Sequence, residues 1–354
     1  SRFIVFALIM LSGVLMFGQN IITRPIKPDS KRQAKTQQIG TKKTNSKKKD
    51  SNKQNKDAKS EPAHVDEITI QQLVDKGKQA EDSGNYVEAI EWYKKAAEQG
   101  DDWSQCSLGY IYDTGHGVPQ SSLAAAKWYS LAAEQGNATA QFNLALLYEK
   151  GQYGPDSAEM IKWYRKAAEQ GIVMAQAALG YRYLIGQGVA QDYIEAAKWY
   201  RMAAEQGDAL SQYNLGYMYD MGHGMSQNHM EAAKWYRKAA EQGDVLAQFN
   251  LGMLYKNGQG VPKDYSEAMK WYLKAAEQGN SLAQVNAASL YKDGMGVPQN
   301  LTEALKWYRK AAEQGDKLGQ YYLGYMYENG LGVEKDEDEA EKWYNKATES
   351  RKSE

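Results

Sequence analysis

A single cysteine, Cys106, stands in 354 residues, so neither an intramolecular disulfide nor a cysteine-based zinc site or redox pair can be built. The four histidines, His64, His116, His223 and His229, show no HExxH or similar ligand spacing, and they read as solvated loop residues. No Ser-His-Asp, paired-carboxylate or metal constellation emerges, so no cofactor, metal or catalytic residue is expected. Positive charge is missing where a nucleic-acid binder would need it. Residues 1–66 carry 14 Lys and Arg against 5 acids, a net +9, which leaves residues 67–354 at −10. An acidic body lacks the clustered Lys and Arg that neutralise phosphates, and duplex nucleic acid is not an expected partner.

A long apolar run is also lacking. The stretch from Phe3 to Phe17 in "SRFIVFALIMLSGVLMFGQN" is short for a spanning helix of about 20 residues and close to a secretory signal core. Residues 1–18 are therefore expected to be a signal peptide or a short N-terminal anchor, with the polar change at Gly18-Gln19 as the cleavage point. Met16 fits the small-residue position poorly, and Arg24, Lys27, Lys31, Arg32 and Lys35 resist translocation. Export to the periplasm or exterior leads; an anchored or cytoplasmic body is the alternative. Residues 19–66 have almost no aromatic or branched apolar content and read as a disordered Lys-rich tether spanning on the order of 40 Å. Its Lys clusters suit contact with anionic lipid or envelope polymer, and serve equally as a solubilising linker.

What the sequence has in abundance is one phrase. "KWYRKAAEQG" occurs three times, ending at Gly171, Gly243 and Gly315, and "AAEQG" seven times, with the closing Gly at 100, 136, 171, 207, 243, 279 and 315. The period is 36 with a single 35, and Trp92, Trp128, Trp163, Trp199, Trp235, Trp271, Trp307 and Trp343 keep it. Within 244–279, Ala247, Leu251 and Tyr255 make one helical stripe, and Gly252 leaves room for a close neighbour. Ala268, Tyr272, Ala275 and Ala276 make a second stripe. These are helices A and B of one hairpin.

The helix ends are equally marked. Asn85/Glu88, Asp156/Glu159, Asp192/Glu195, Asn228/Glu231, Asp264/Glu267, Asn300/Glu303 and Asp336/Glu339 have capping-box spacing, in which the cap accepts an amide and the Glu reaches back. Each cap contributes about 1 kcal/mol. The closing Gly can take the left-handed conformation that ends a helix, and Asp101, Asn137, Asp208, Asp244, Asn280 or Asp316 then caps the next helix A. Ile172 breaks that rule. Each hairpin buries its apolar faces only against its neighbours, so Leu215, Tyr219, Ala232 and Tyr236 are expected to be dry. The recurrent Glu241 and Lys238 read as solvated helix charges, not a catalytic pair.

The pattern "AxxxLGxxYxxGxGVxxDxxEAxKWYxKAAEQG" is similar to that of the Sel-one-like repeat (SLR) family, relatives of the tetratricopeptide repeats. The resemblance covers seven copies, 101–136, 137–171, 172–207, 208–243, 244–279, 280–315 and 316–349, and 67–100 resembles a tetratricopeptide unit capping the stack. Departures are Tyr153 in place of a loop Gly, a lost loop residue in 137–171, and Ala287 for Leu. Residues 334–342, "EKDEDEAEK", supply the polar face of a terminal hairpin.

The resemblance implies an all-α, right-handed α-solenoid superhelix of stacked antiparallel helix pairs. It further implies a monomeric, non-catalytic adaptor for a protein or peptide partner. A cysteine-rich branch of the family is linked to β-lactam hydrolysis, so the alternative is a peptidoglycan- or glycan-binding or cell-wall hydrolase-like protein; Cys106 alone departs from that branch. By resemblance, repeat positions six, ten and thirteen of helix A line a concave groove. The residues expected to contact a partner are Tyr110, Phe142, Tyr181, Tyr213, Tyr217, Asp220, Phe249, Met253, Lys256, Lys292, Tyr321 and Tyr325, read as an outward-facing aromatic row.

Overall fold

A computed structural model describes Arg24 and residues 68–154 and 156–349; the expected signal segment and all of the tether except Arg24 lie outside the described residues. Among the described residues there are sixteen helices and no strands. The first eight are α1 (Ile70–Asp82), α2 (Tyr86–Glu98), α3 (Asp102–Thr114), α4 (Ser122–Glu134), α5 (Ala138–Glu149), α6 (Ser157–Glu169), α7 (Val173–Ile185) and α8 (Tyr193–Glu205). The remainder are α9 (Ala209–Met221), α10 (His229–Glu241), α11 (Val245–Asn257), α12 (Tyr265–Glu277), α13 (Ser281–Asp293), α14 (Leu301–Glu313), α15 (Lys317–Asn329) and α16 (Glu337–Thr348). The chain divides into two compact units, residues 1–175 and 176–354. Within the first, α1 packs on α2, α3 on α4 and α5 on α6, each hairpin docking on the next. The second repeats this arrangement from α8 to α16. None of these helices is long and apolar enough to cross a membrane.

The local signals act as read. Asp244 accepts from the Ala247 amide and Asp264 from Glu267, and every other expected cap is in place, including Ser121 on Ala124. The closing glycines all have positive φ, from 82° to 101°. The second half of the capping box is different on the helix B starts. Glu159 and Glu195 do not reach back; each accepts from the indole of the Trp four residues on, at 2.9 and 3.1 Å, because i and i+4 share a helix face.

Burial follows the stripes. Leu215, Ala232 and Tyr236 are fully enclosed, and Tyr219 is half-buried. A Cβ added to Gly252 would lie 2.7 Å from the Tyr272 ring, so the glycine is what lets helix A lie flat on that tyrosine. Its counterparts Gly77, Gly109, Gly180, Gly216 and Gly324 meet Tyr93, Tyr129, Tyr200, Tyr236 and Tyr344 in the same way.

The repeated phrase is therefore an inter-hairpin clamp as well as a helix end. In the second unit its arginines Arg201, Arg237 and Arg309 donate to the hydroxyls of Tyr219, Tyr255 and Tyr327 on the following helix A. Its glutamine does more. Gln248 is buried on α11; its amide donates to the Ala240 carbonyl, and its side-chain oxygen accepts from Gln278 at 2.9 Å. The same chain of bonds links Ala204, Gln212 and Gln242, and Ala276, Gln284 and Gln314. In the first unit it links Ala97, Gln105 and Gln135, and Ala133, Gln141 and Gln170. A glutamine at position five thus satisfies the last carbonyls of one helix B and is itself capped by the next.

Candidate interaction surface

Helix A presents positions six, ten and thirteen along one side, but the hairpin's own tyrosine covers much of it. Phe142 packs on Tyr164 with ring centroids 5.9 Å apart, Tyr213 on Tyr236 at 5.8 Å and Phe249 on Tyr272 at 6.0 Å. Tyr213 has no exposed surface, and Tyr181 and Tyr217 are buried as well. The outward-facing row is thus corrected for Phe142, Tyr181, Tyr213, Tyr217 and Phe249. An aromatic at position six is large enough to reach the helix B ring, and desolvation there favours the packed rotamer, whereas Tyr217, at position ten, meets the His223 ring at 5.7 Å. Burial also pushes the Tyr213 hydroxyl far above the usual phenol range, so it stays a neutral group.

The other candidates keep solvent. Tyr110, Asp220, Met253, Lys256 and Lys292 are half-buried, while Tyr321 and Tyr325 are exposed. Several are engaged. Lys256 donates to the Asn286 side chain at 2.8 Å, Lys292 pairs with Asp293 at 2.8 Å, and Asp220 lies 2.7 Å from His229 Nδ1. Within the second unit, positions ten and thirteen from α11 to α13 therefore offer Met253, Lys256, Ser289 and Lys292 as partly open, polar-rimmed surface.

Position thirteen is acidic in the first unit: Glu81, Asp113 and Glu149. The hydroxyl of Tyr93 donates to Glu81 at 2.7 Å, and that of Tyr164 donates to Glu149. Burial raises the Asp113 carboxyl above its ordinary range, with Lys150 partly opposing. Glu81 is not among the residues expected to contact a partner, although counting on four from Gly77, the counterpart of Gly109, places it at position thirteen. Nor does that expectation include the paired glutamines, 30 residues apart or 29 in 137–171, that join consecutive turns of the six repeats from 101–136 to 280–315.

The histidines are not simply solvated. His116 stacks on Tyr86 at 4.8 Å and His223 on Tyr193 at 4.9 Å, each bridging a loop to the preceding helix B. Cys106 is buried and its thiol is pushed up by desolvation, which keeps it from thiolate chemistry. Among the described residues no group of three or more His, Cys, Asp or Glu is placed to hold a metal ion. Lys238 lies over the Trp235 ring at 4.2 Å, an exposed helix charge resting on an aromatic face.

A family model of the Sel1 repeat matches residues 77–101, 104–137, 138–172, 173–208, 209–244, 245–280, 281–316 and 317–350. The chain belongs to the Sel1 repeat family. The hairpin of α1 and α2, expected as a tetratricopeptide cap, is matched as an eighth Sel1 repeat. Two solved Sel1-type structures are similar. One is a protective antigen of uropathogenic Escherichia coli strains that displays an SLR fold, at 40% identity over 79% of this chain and 61% of that one, with a TM-score of 0.73. The other is a Sel1 repeat protein from Oxalobacter formigenes, at 34% identity over 78% and 82%, with a TM-score of 0.61. This chain spans about three-fifths of the length of the E. coli antigen it matches. No curated protein matches it.

Proposed function

We propose that the Sel1 repeats of this chain form a non-catalytic scaffold that holds a protein or peptide partner along their helix A faces. The supporting observation is the half-open run of Met253, Lys256, Ser289 and Lys292 in a stack whose neighbouring apolar positions are closed. A methionine is a compliant apolar contact, and two flanking lysines select an acidic or carbonyl-rich strip of the partner. Asp220 and Glu328, at position thirteen on either side of those lysines, set where positive groups of the partner belong.

The test uses a photo-crosslinking residue at 253 in one chain and at 238, on the exposed helix B face, in another. Adducts with the same partner should form from position 253 and not from 238. Equal yields from both positions would remove the helix A face as the site. The double substitution Met253→Ala/Lys292→Glu should then reduce capture of that partner at least about tenfold, since a central truncation and a charge reversal each cost more than 1 kcal/mol at a used interface. Tyr213 and Tyr217 are unsuitable positions for this experiment, because truncating them opens the core.

A further inference from the structure

Arg24 comes from far outside the repeats, yet it is placed against them. Its guanidinium Nη2 lies 3.2 Å from Glu81 Oε1 and 3.3 Å from Asp82 Oδ1, at the end of α1. The two acids differ in burial: the Glu81 side chain is 5% exposed and the Asp82 side chain 54%. Glu81 is also held from within by the Tyr93 hydroxyl. A carboxylate enclosed to that degree with one neutral donor has unspent acceptor capacity, and a cation on its open side offsets part of its desolvation. Tyr110, at repeat position ten on α3, is half-buried. Position thirteen on one helix A and position ten on the next are where partner contacts were expected from the family resemblance.

We propose that Glu81 and Asp82 form a guanidinium-binding site that Arg24 fills in cis. An arginine borne by an incoming peptide segment takes the same place by exchange. Both contacts are made by Nη2, and a guanidinium, more weakly hydrated than a lysine ammonium, gives up less on entering beside the enclosed Glu81 carboxylate. Filled by the chain's own arginine, the site blocks this end of the first unit until a competing segment arrives. Only the exchange step rests on the scaffold reading. The site itself stands on the Arg24 contacts, in a different unit from Met253 and Lys292.

A labelled synthetic peptide of residues 19–30 of this chain, QNIITRPIKPDS, serves as the probe, and its binding is read by fluorescence anisotropy. The full chain carrying Arg24→Ala should bind it at least about tenfold more tightly than the unsubstituted chain, whose site is already occupied by its own arginine. Adding Asp82→Asn, at an exposed position that leaves the core intact, should remove most of that gain. A peptide carrying Ala in place of Arg24 should not compete, and one carrying Lys should compete poorly. Equal binding by the Arg24→Ala and unsubstituted chains would overturn the proposal, as would binding indifferent to the peptide's arginine. Loss of crosslinking at position 253 would leave this result untouched, so the two readings fail separately.

Discussion

Residue by residue, the recurrence of this sequence is a recurrence of unsatisfied groups. Gln248 sits where an apolar side chain would otherwise pack, and it bonds two polar groups, the Ala240 carbonyl and the Gln278 amide. Gln248→Met keeps the volume and removes the bonds. It should lower unfolding free energy by about 1–3 kcal/mol in urea titration, the cost of leaving buried polar groups unmet; a neutral outcome would mean that water replaces the ladder. His223 gives a pH signature. Burial against Tyr193 holds its pKa below the ordinary 6.5, so the unfolded chain takes up the proton first. Its stabilising effect is complete above pH 6.5 and is lost as pH falls through the lower folded-state value. His223→Phe, which keeps a ring on Tyr193, should therefore lose less stability than the unsubstituted chain between pH 7.5 and pH 5 in parallel thermal melts.

At the scale of elements, the loop between helices A and B separates two kinds of glycine. Gly258 ends α11 with φ 71°, and a Cβ there would meet the Lys263 side chain at 3.0 Å. Gly260, with φ 69°, lies so close to the start of α10 that a Cβ would fall 2.2 Å from the His229 carbonyl carbon. Both alanine variants carry the left-handed strain of about 1–2 kcal/mol, but only Gly260→Ala must also push two hairpins apart. Gly260→Ala should be the more destabilised of the two by chemical denaturation, and the order would reverse if the loop moved freely. Helix starts, helix stops and the apolar stripes were legible in the sequence because each depends on residues within one turn or one period. The fate of position six was not, because it turns on whether the aromatic there reaches the ring of its own helix B. Nor was the turn of Glu159 and Glu195 toward an indole, since cap and indole compete for the same carboxylate and only three-dimensional placement decides. Arg24 was read as a charge of the tether that resists translocation; no periodicity links it to Glu81.

For the whole molecule, stability is a sum over hairpins and their nearest neighbours, and this makes the period itself testable. Excising residues 244–279 joins Gly243 to Asn280, so a closing glycine still meets a cap residue. Gln284 then finds the Ala240 carbonyl where it had Ala276, and Arg237 finds Tyr291 where it had Tyr255. Every clamp across the new junction is regenerated by residues of the same type at the same repeat position, although Ala287 and Ala288 bring less apolar bulk to the joint. The shortened chain should fold with unchanged helicity per residue by circular dichroism and a melting temperature lower by several degrees, since one hairpin and one interface are gone. Removing residues 244–273 instead leaves a broken helix B and an unpaired face, and should give a broad transition with exposed apolar surface. Were both excisions to melt alike, the hairpins would not be exchangeable units, and the 36-residue beat would have lost its physical meaning.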